Sequence, residues 1–224
     1  MSILIGIIGP PCSGKSTVAR TLVDAGAFWI DADAIAKEQL SREDVREELR
    51  GLFGETVFAE DGSLSRAAVA RLVFGENENS RLRLRQLEAV LHPGTRQVIW
   101  TQLTDQVHRG TNLIVMDVPL LLEVGWDTFC DEVWYVQADP MTQQRLLRER
   151  GWTTSQWRDR QANQWSIDDK RRFATRRLLN EGTQDDLRRR TLNVLEKCSF
   201  LAYRAGDPHC DPIARTAAGP SPPG

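Results

Sequence analysis

The chain opens on a nearly continuous apolar run, Ile3 to Ile8, of the kind made by a strand covered on both faces. Thr17, Val18, Ala19, Leu22 and Val23 follow at helical spacing, and Gly26 ends that helix. Phe28-Trp29-Ile30 then reads as a short strand closing on Asp31-Ala32-Asp33, with a helix predicted over Ala34 to Leu40. From Ser41 to Val107 the period is helical throughout, with Val45, Leu49 and Leu52 on one face, then Ala68, Leu72 and Val73, then Leu84, Leu87, Val90 and Leu91. Such a run is too long for one crossover between strands and reads as an inserted helical unit. Within it Asp61-Gly62 signals a turn, Leu64-Ser65-Arg66 leads into a helix, and His92-Pro93 is expected to break a long helix, because proline disfavours helical geometry in the residue before it.

Leu113 to Met116 is a second continuous apolar run and ends at Asp117. Val133 to Val136 predicts a fourth strand, after which Asp139-Pro140 opens a helix carrying Arg145, Arg148 and Arg150. Arg176 to Asn180 reads as a fifth strand, Gly182-Thr183 starts a last helix over Gln184 to Tyr203, and beyond Arg204 the composition falls to Gly, Pro, Ala and Asp. Strands separated by helices predict an α/β fold with a five-stranded parallel sheet flanked by helices. The expected division is a core from 1–40, 110–140 and 174–204, a helical unit over 41–109, a second helical segment over 141–173 and a disordered tail over 205–224.

At 224 residues and 41% hydrophobic content the chain can bury one such sheet. The net charge of −2 hides a basic stretch from Arg145 to Arg177, which suits a small polyanionic ligand more than a nucleic-acid groove. The first residues have no positive leader region, and the apolar runs are too short to span a membrane, so a cytoplasmic protein is expected. Four cysteines lie far apart without ligand spacing, which argues against zinc and against a disulfide framework. Cys12 alone stands in a functional place, as either an acidified thiol beside a lysine and a helix N-terminus or a small loop-filling side chain.

The chemistry begins at Gly9-Pro10-Pro11-Cys12-Ser13-Gly14-Lys15-Ser16, a G-x-x-x-x-G-K-S spacing between a strand and a helix. This is a phosphate-binding loop: backbone N–H groups and the helix N-terminus converge on nucleotide phosphates, Lys15 reaches the β and γ phosphates, and the Ser16 hydroxyl ligates Mg²⁺. Asp31 and Asp33 stand at the C-terminal edge of a parallel strand, facing the same crevice, and either of them can cap the helix that follows. Asp117, at the next strand end, can hold Mg²⁺ through water. Glu123 is either near this crevice or a solvated surface acid, and His92 is either structural or a ligand. Trp152, Trp157 and Trp165 flank a lid segment, as core packing or against an adenine. Together these residues suggest phosphoryl transfer from ATP to a small acceptor, with Asp33 taking the proton of an acceptor hydroxyl and Arg145 closing on the transferred group.

From about residue 3 to 195 the chain resembles the dephospho-CoA kinase family, on the segments GPPCSGKS, IDADAIA, LFGETVFAEDGSLSRAAVARLVF, LEAVLHP, MDVPLLLE, QADPMTQQRLLRERG, RQANQ and LLNEGT. The resemblance implies a P-loop kinase core with a helical acceptor-binding insertion and a helical lid, and transfer of phosphate from ATP to the ribose 3′-hydroxyl of dephospho-CoA. On the ATP side it implies the loop residues Gly9 to Ser16, Thr17, Arg145 and Arg150, with Mg²⁺ at Ser16 and Asp117. On the acceptor side it implies Asp33, Arg66, His92, Leu120, Glu123, Arg160 and Gln164. A monomer or weak homo-oligomer without nucleic-acid or membrane partners is expected. Pro10, Pro11 and Cys12 depart from the family's loop, and Ala174-Thr175 and Leu179-Asn180 from its fifth-strand pattern. The alternatives are a related nucleoside or nucleotide kinase and a non-catalytic nucleotide-binding protein. A GTPase would need N-K-x-D and D-x-x-G motifs that do not occur in the expected order.

Overall fold

A computed structural model describes residues 2–198 except 74–76 and 163, and of Arg66 and Asp159 it describes the backbone alone. The predicted tail at 205–224 lies outside the described residues. Five parallel strands form one sheet in the order β2-β3-β1-β4-β5: β1 (Ile3–Ile8), β2 (Phe28–Asp31), β3 (Leu113–Asp117), β4 (Glu132–Ala138) and β5 (Arg176–Asn180). The first helix, α1 (Lys15–Asp24), follows β1, and α2 (Ala32–Gln39) follows β2 directly.

β1 is buried along its whole length because both faces are covered. Ile3, Ile5 and Ile7 pack with Val18, Ala19 and Leu22 of α1 and with Leu187 of the last helix. Leu4 and Ile8 point the other way, into a cluster with Ile35 of α2 and Ile99 and Leu103 of a long helix. The period of two thus assigns each strand residue to one of two cores.

The inserted stretch folds as α3 (Glu43–Phe53), α4 (Arg66–Val73) and α5 (Glu78–His108). A third cluster of Val45, Leu49, Phe53, Val57, Val69 and Val73 packs against Leu84, Leu87, Val90 and Leu91 on the first half of α5. The 31-residue α5 is about 46 Å long at 1.5 Å per residue. It therefore serves two cores, and its second half lies on the sheet.

This corrects the expected break at His92-Pro93, since α5 continues through Pro93. The proline falls between the stretch packed in the third cluster, which ends at Leu91, and the stretch packed on the sheet, which begins at Val98 and Ile99. Packing on both sides holds the helix across one missing backbone donor.

The remaining helices are α6 (Pro140–Glu149), α7 (Thr154–Ala162), α8 (Ile167–Phe173) and α9 (Gln184–Glu196). α9 is opened by a capping box between Thr183 and Asp186. It stops at Glu196 and does not extend helically through Lys197 and Cys198, whereas the sequence pattern continues to Tyr203; residues 199–203 lie outside the described residues. Cys198 is buried, with its Sγ 3.4 Å from Oε2 of Glu132 at the start of β4.

Leu49 is completely buried in the third cluster. Leu49→Ala is expected to lower stability by about 2–5 kcal/mol in urea denaturation, the usual loss for a buried leucine.

Candidate active site

The phosphate loop is pressed against the C-terminal ends of β4 and β5. Gly9 has φ 149°, and a Cβ there would lie 2.2 Å from the Val136 carbonyl oxygen. Gly14 has φ 101°, and a Cβ would lie 2.5 Å from Asn180 Nδ2. No other residue type fits either place. The Asn180 amide in turn donates to the Ser13 carbonyl oxygen at 3.0 Å in a buried bond.

Gly14 is the N-cap of α1, without a side-chain cap and without an acid in the first turn, which leaves the helix N-terminus open to an anion. Pro10 and Pro11 have no N–H to offer a phosphate, so the donors of the cradle come from Cys12 onward. Cys12 sits at φ 57°, and burial raises its thiol pKa despite Arg150, Lys15 and Arg160 nearby. Of its two expected roles the loop-filling one fits, because an acidified thiol would need the cations to outweigh burial.

Lys15 Nζ donates to the carbonyl oxygens of Gly9 and Pro10, each at 2.9 Å. Burial lowers its pKa, and Asp117 and Asp33 oppose that. Asp31 and Asp117 are register partners at the ends of β2 and β3, so the acids stand side by side along the edge that carries the loop. Asp31 Oδ1 accepts from Ala34 N at 3.0 Å and is the helix cap. That leaves Asp33, exposed in the first turn of α2, for other work. Burial pushes Asp117 up to about 6, and the charges of Asp33 and Asp31 add to the rise while Lys15 opposes it. Among the described residues no donor hydrogen-bonds to the Asp117 carboxylate.

Asp33, His92 and Leu120 come together around a cavity of about 260 Å³ between α2, α5 and the stretch after β3. Arg66 begins α4, and its side chain lies outside what is described. Thr17, in the first turn of α1, borders a separate hollow with Arg20, Trp29 and Arg188.

Glu123 does not line this cavity. It is mostly buried; its Oε1 accepts from Trp165 N at 2.7 Å and pairs with Lys170 Nζ at 3.3 Å. Lys170, only 1% exposed, also donates to Gln164 Oε1 at 2.9 Å. Glu123 and Gln164 are therefore tied to one another through a buried lysine. Nothing in the run Asp168-Asp169-Lys170-Arg171-Arg172 marked Lys170 as the inward cation.

The helices after β4 carry the arginines. Arg145 Nη2 donates to the Gly182 carbonyl oxygen at 3.2 Å, and the Arg150 and Arg160 guanidinium carbons lie 5.5 and 4.0 Å from the Trp152 ring centre. Trp157 Nε1 donates to the Pro11 carbonyl oxygen at 2.9 Å, which joins α7 to the phosphate loop. Sequence spacing marked Trp157 only as an aromatic flanking the segment.

Comparison with known proteins decides the family. The dephospho-CoA kinase family model matches residues 3–186. The chain belongs to the dephospho-CoA kinase family. A curated dephospho-CoA kinase from Rhodopirellula baltica is 49% identical over 186 residues, covering 83% of this chain and 86% of that protein. A crystal structure of a Thermus thermophilus protein aligns with TM-score 0.69 at 36% identity, over 88% of this chain and 97% of that one. A dephospho-CoA kinase from Campylobacter jejuni shares the fold at TM-score 0.59 and 19% identity, over 88% and 97% of the two chains. For a kinase of this family, the loop and the cavity beside Asp33 lie at the same sheet edge.

Because the Asp117 pKa in the fold lies above the ordinary 3.8, the folded chain holds that proton more tightly than the unfolded one. Its contribution to stability is present below about pH 4 and is lost as pH rises through about 6. In EDTA at pH 7, Asp117→Asn is expected to be more stable than wild type by about 1–3 kcal/mol in urea denaturation, with the gap closing towards pH 4.

Proposed function

We propose that this chain transfers the γ-phosphoryl group of ATP to the ribose 3′-hydroxyl of dephospho-CoA, giving coenzyme A and ADP. The observation that carries the reading is Asp33: freed from capping by Asp31, it lines the acceptor cavity on the sheet edge that holds Lys15 and the open N-terminus of α1.

ATP phosphates would lie on the backbone N–H groups from Cys12 to Ser16, and Lys15 would exchange two loop carbonyls for phosphate oxygens. The acceptor hydroxyl would approach Asp33, which orients it and takes its proton as the oxygen–phosphorus bond forms and the bridging bond to ADP breaks. His92 and Leu120 would hold the acceptor in place. Arg145, Arg150 and Arg160, on the segment 141–173 read as a lid, would offset charge on the transferred group and exclude water. Glu123 and Gln164 would act on the acceptor side through the lid's attachment rather than through the cavity wall.

Mg²⁺ fits the residues present. A partly buried carboxylate at Asp117 without a hydrogen-bond donor suits a hard cation, and the Ser16 hydroxyl stands at the phosphate loop. Among the described residues no group of three or more His, Cys, Asp or Glu could hold a metal alone. The ion's other ligands would therefore be phosphate oxygens and water. When bound, it would offset the charge that the phosphates carry.

No described helix is long and apolar enough to cross a membrane. Cys12, Cys130 and Cys198 are free and buried, which agrees with the proposed cytoplasmic setting.

Purified protein given ATP, Mg²⁺ and dephospho-CoA is expected to form coenzyme A and ADP. Asp33→Asn should lose about 10²–10⁴-fold in kcat with ATP affinity within about twofold, as measured by coupled assay and calorimetry. Folded protein that makes no coenzyme A but phosphorylates nucleosides would overturn the proposal.

A further inference from the structure

Helices α6 and α7 meet at Trp152, and the backbone closes the chain on either side of it. Gly151, at φ 64°, ends α6 in a left-handed turn: its N–H donates to the Arg148 carbonyl oxygen and the Trp152 N–H to the Leu147 carbonyl oxygen, each at 3.0 Å. One residue later Thr153 Oγ1 accepts from Gln156 N at 3.2 Å and Gln156 Oε1 accepts from Thr153 N at 3.0 Å, a reciprocal cap that opens α7. Trp152 stands between two fastened turns, half-buried, and its indole is a fixed platform.

Two cations share that platform. The Arg150 and Arg160 guanidinium carbons lie 5.5 and 4.0 Å from the ring centre. Arg160 is set further by Nη1, which donates to the Gln156 carbonyl oxygen at 3.2 Å. Stacking occupies the face of a guanidinium and none of its N–H donors, which lie in its own plane.

Both arginines are also brought to the phosphate loop. Trp157 ties α7 to the Pro11 carbonyl at 2.9 Å, and Arg160, three residues on, shares that side of the helix. Arg150 and Arg160 lie close enough to Cys12 for their charges to act on its thiol together with that of Lys15, and Arg150 acts on Lys15 and Asp117 as well. Three cations gathered at one loop repel each other, so their convergence is favourable only when an anion is among them.

We propose that Trp152 is a positioning residue for phosphoryl transfer, its indole holding the Arg150 and Arg160 guanidinium groups over the phosphate loop. The proposal rests on the reading above, in which these arginines offset charge on the transferred group. Charge that grows in the transition state is stabilised best by donors already in place, so loss of the platform falls on kcat.

The test uses the full chain with ATP, Mg²⁺ and dephospho-CoA. Trp152→Leu should lower kcat about tenfold, with KM for dephospho-CoA within about threefold of wild type. Trp152→Phe, which keeps a ring, should retain kcat to within about threefold. In a chain already carrying Arg150→Gln and Arg160→Gln, and expected to be about 10²-fold slower for it, Trp152→Leu should change kcat by less than about twofold, because a residue that acts through the arginines has nothing left to position. Trp152→Met, a second chain without the ring, should match Trp152→Leu, and the Tm of both should stay within about 4 °C of wild type.

A kcat unmoved by Trp152→Leu overturns the proposal, as does the same loss with and without the two arginines. A Trp152→Phe chain as slow as Trp152→Leu, or loss of folding in both ringless variants, would make Trp152 a packing residue and also overturn it. If the Arg150→Gln and Arg160→Gln chain keeps the wild-type kcat, the reading of those arginines falls and this inference with it. If that chain is slow and Trp152→Leu is not, this inference falls alone.

Discussion

The site depends on how closely the phosphate loop can approach the ends of β4 and β5. Gly9 meets the Val136 carbonyl and Gly14 meets Asn180, and at both contacts a Cβ would collide. The Asn180 bond to the Ser13 carbonyl closes the seat. Once the loop is seated, the direction of α1, the origin of Lys15 and the open helix N-terminus are all set. The sheet order places β1 between β3 and β4, so the acids at the ends of β2 and β3 fall on one side of the loop and Asn180 on the other. The mutual effect of Lys15 and Asp117 on their pKa values follows from that placement, with burial the larger cause for each.

A second organising element is α5, which belongs to two cores. Its first half closes the small cluster of the inserted helices and its second half covers the sheet. Pro93 marks the place where the helix passes from one to the other. There the packing opens into the cavity, and His92 and Thr95 are carried to its wall. Gly94 at the same place leaves room for the Gln39 side chain of α2, whose Oε1 would lie 2.5 Å from a Cβ there.

The segment from α6 to α8 is attached on both sides of the crevice. Trp157 ties it to the phosphate loop through the Pro11 carbonyl. Lys170, with Glu123 and Gln164, ties it to the stretch after β3 by a buried pair that is expensive to leave incomplete. Its basic face is partly spent on stacking at Trp152 and on the Gly182 carbonyl, and is not a free cluster of charge. The substitution of proline at Pro10 and Pro11 removes two N–H groups but leaves two carbonyls, and both have partners here, Lys15 and Trp157.

Local pattern was enough for the five strands, the phosphate loop and the acids at the strand ends, because each is a matter of neighbouring residues: an apolar run, a glycine spacing, a carboxylate where a strand stops. The same is true of the helical character of the insertion. It could not say which of Asp31 and Asp33 capped α2, since both stand at the right distance from the helix start and only the folded backbone shows which oxygen reaches Ala34 N. Pro93 misled for a related reason: local preference against a helix is worth a few kcal/mol, and packing on two sides outweighs it. The bonds of Trp157 to the Pro11 carbonyl and of Lys170 to Glu123 had no readable signal, because those partners lie in distant segments. What the sequence by itself determined was the set of chemical groups and the strands that bring them to one edge. Tertiary packing alone decided which of those groups are spent on holding the structure and which remain facing the cavity, because a side chain's availability depends on what is buried against it.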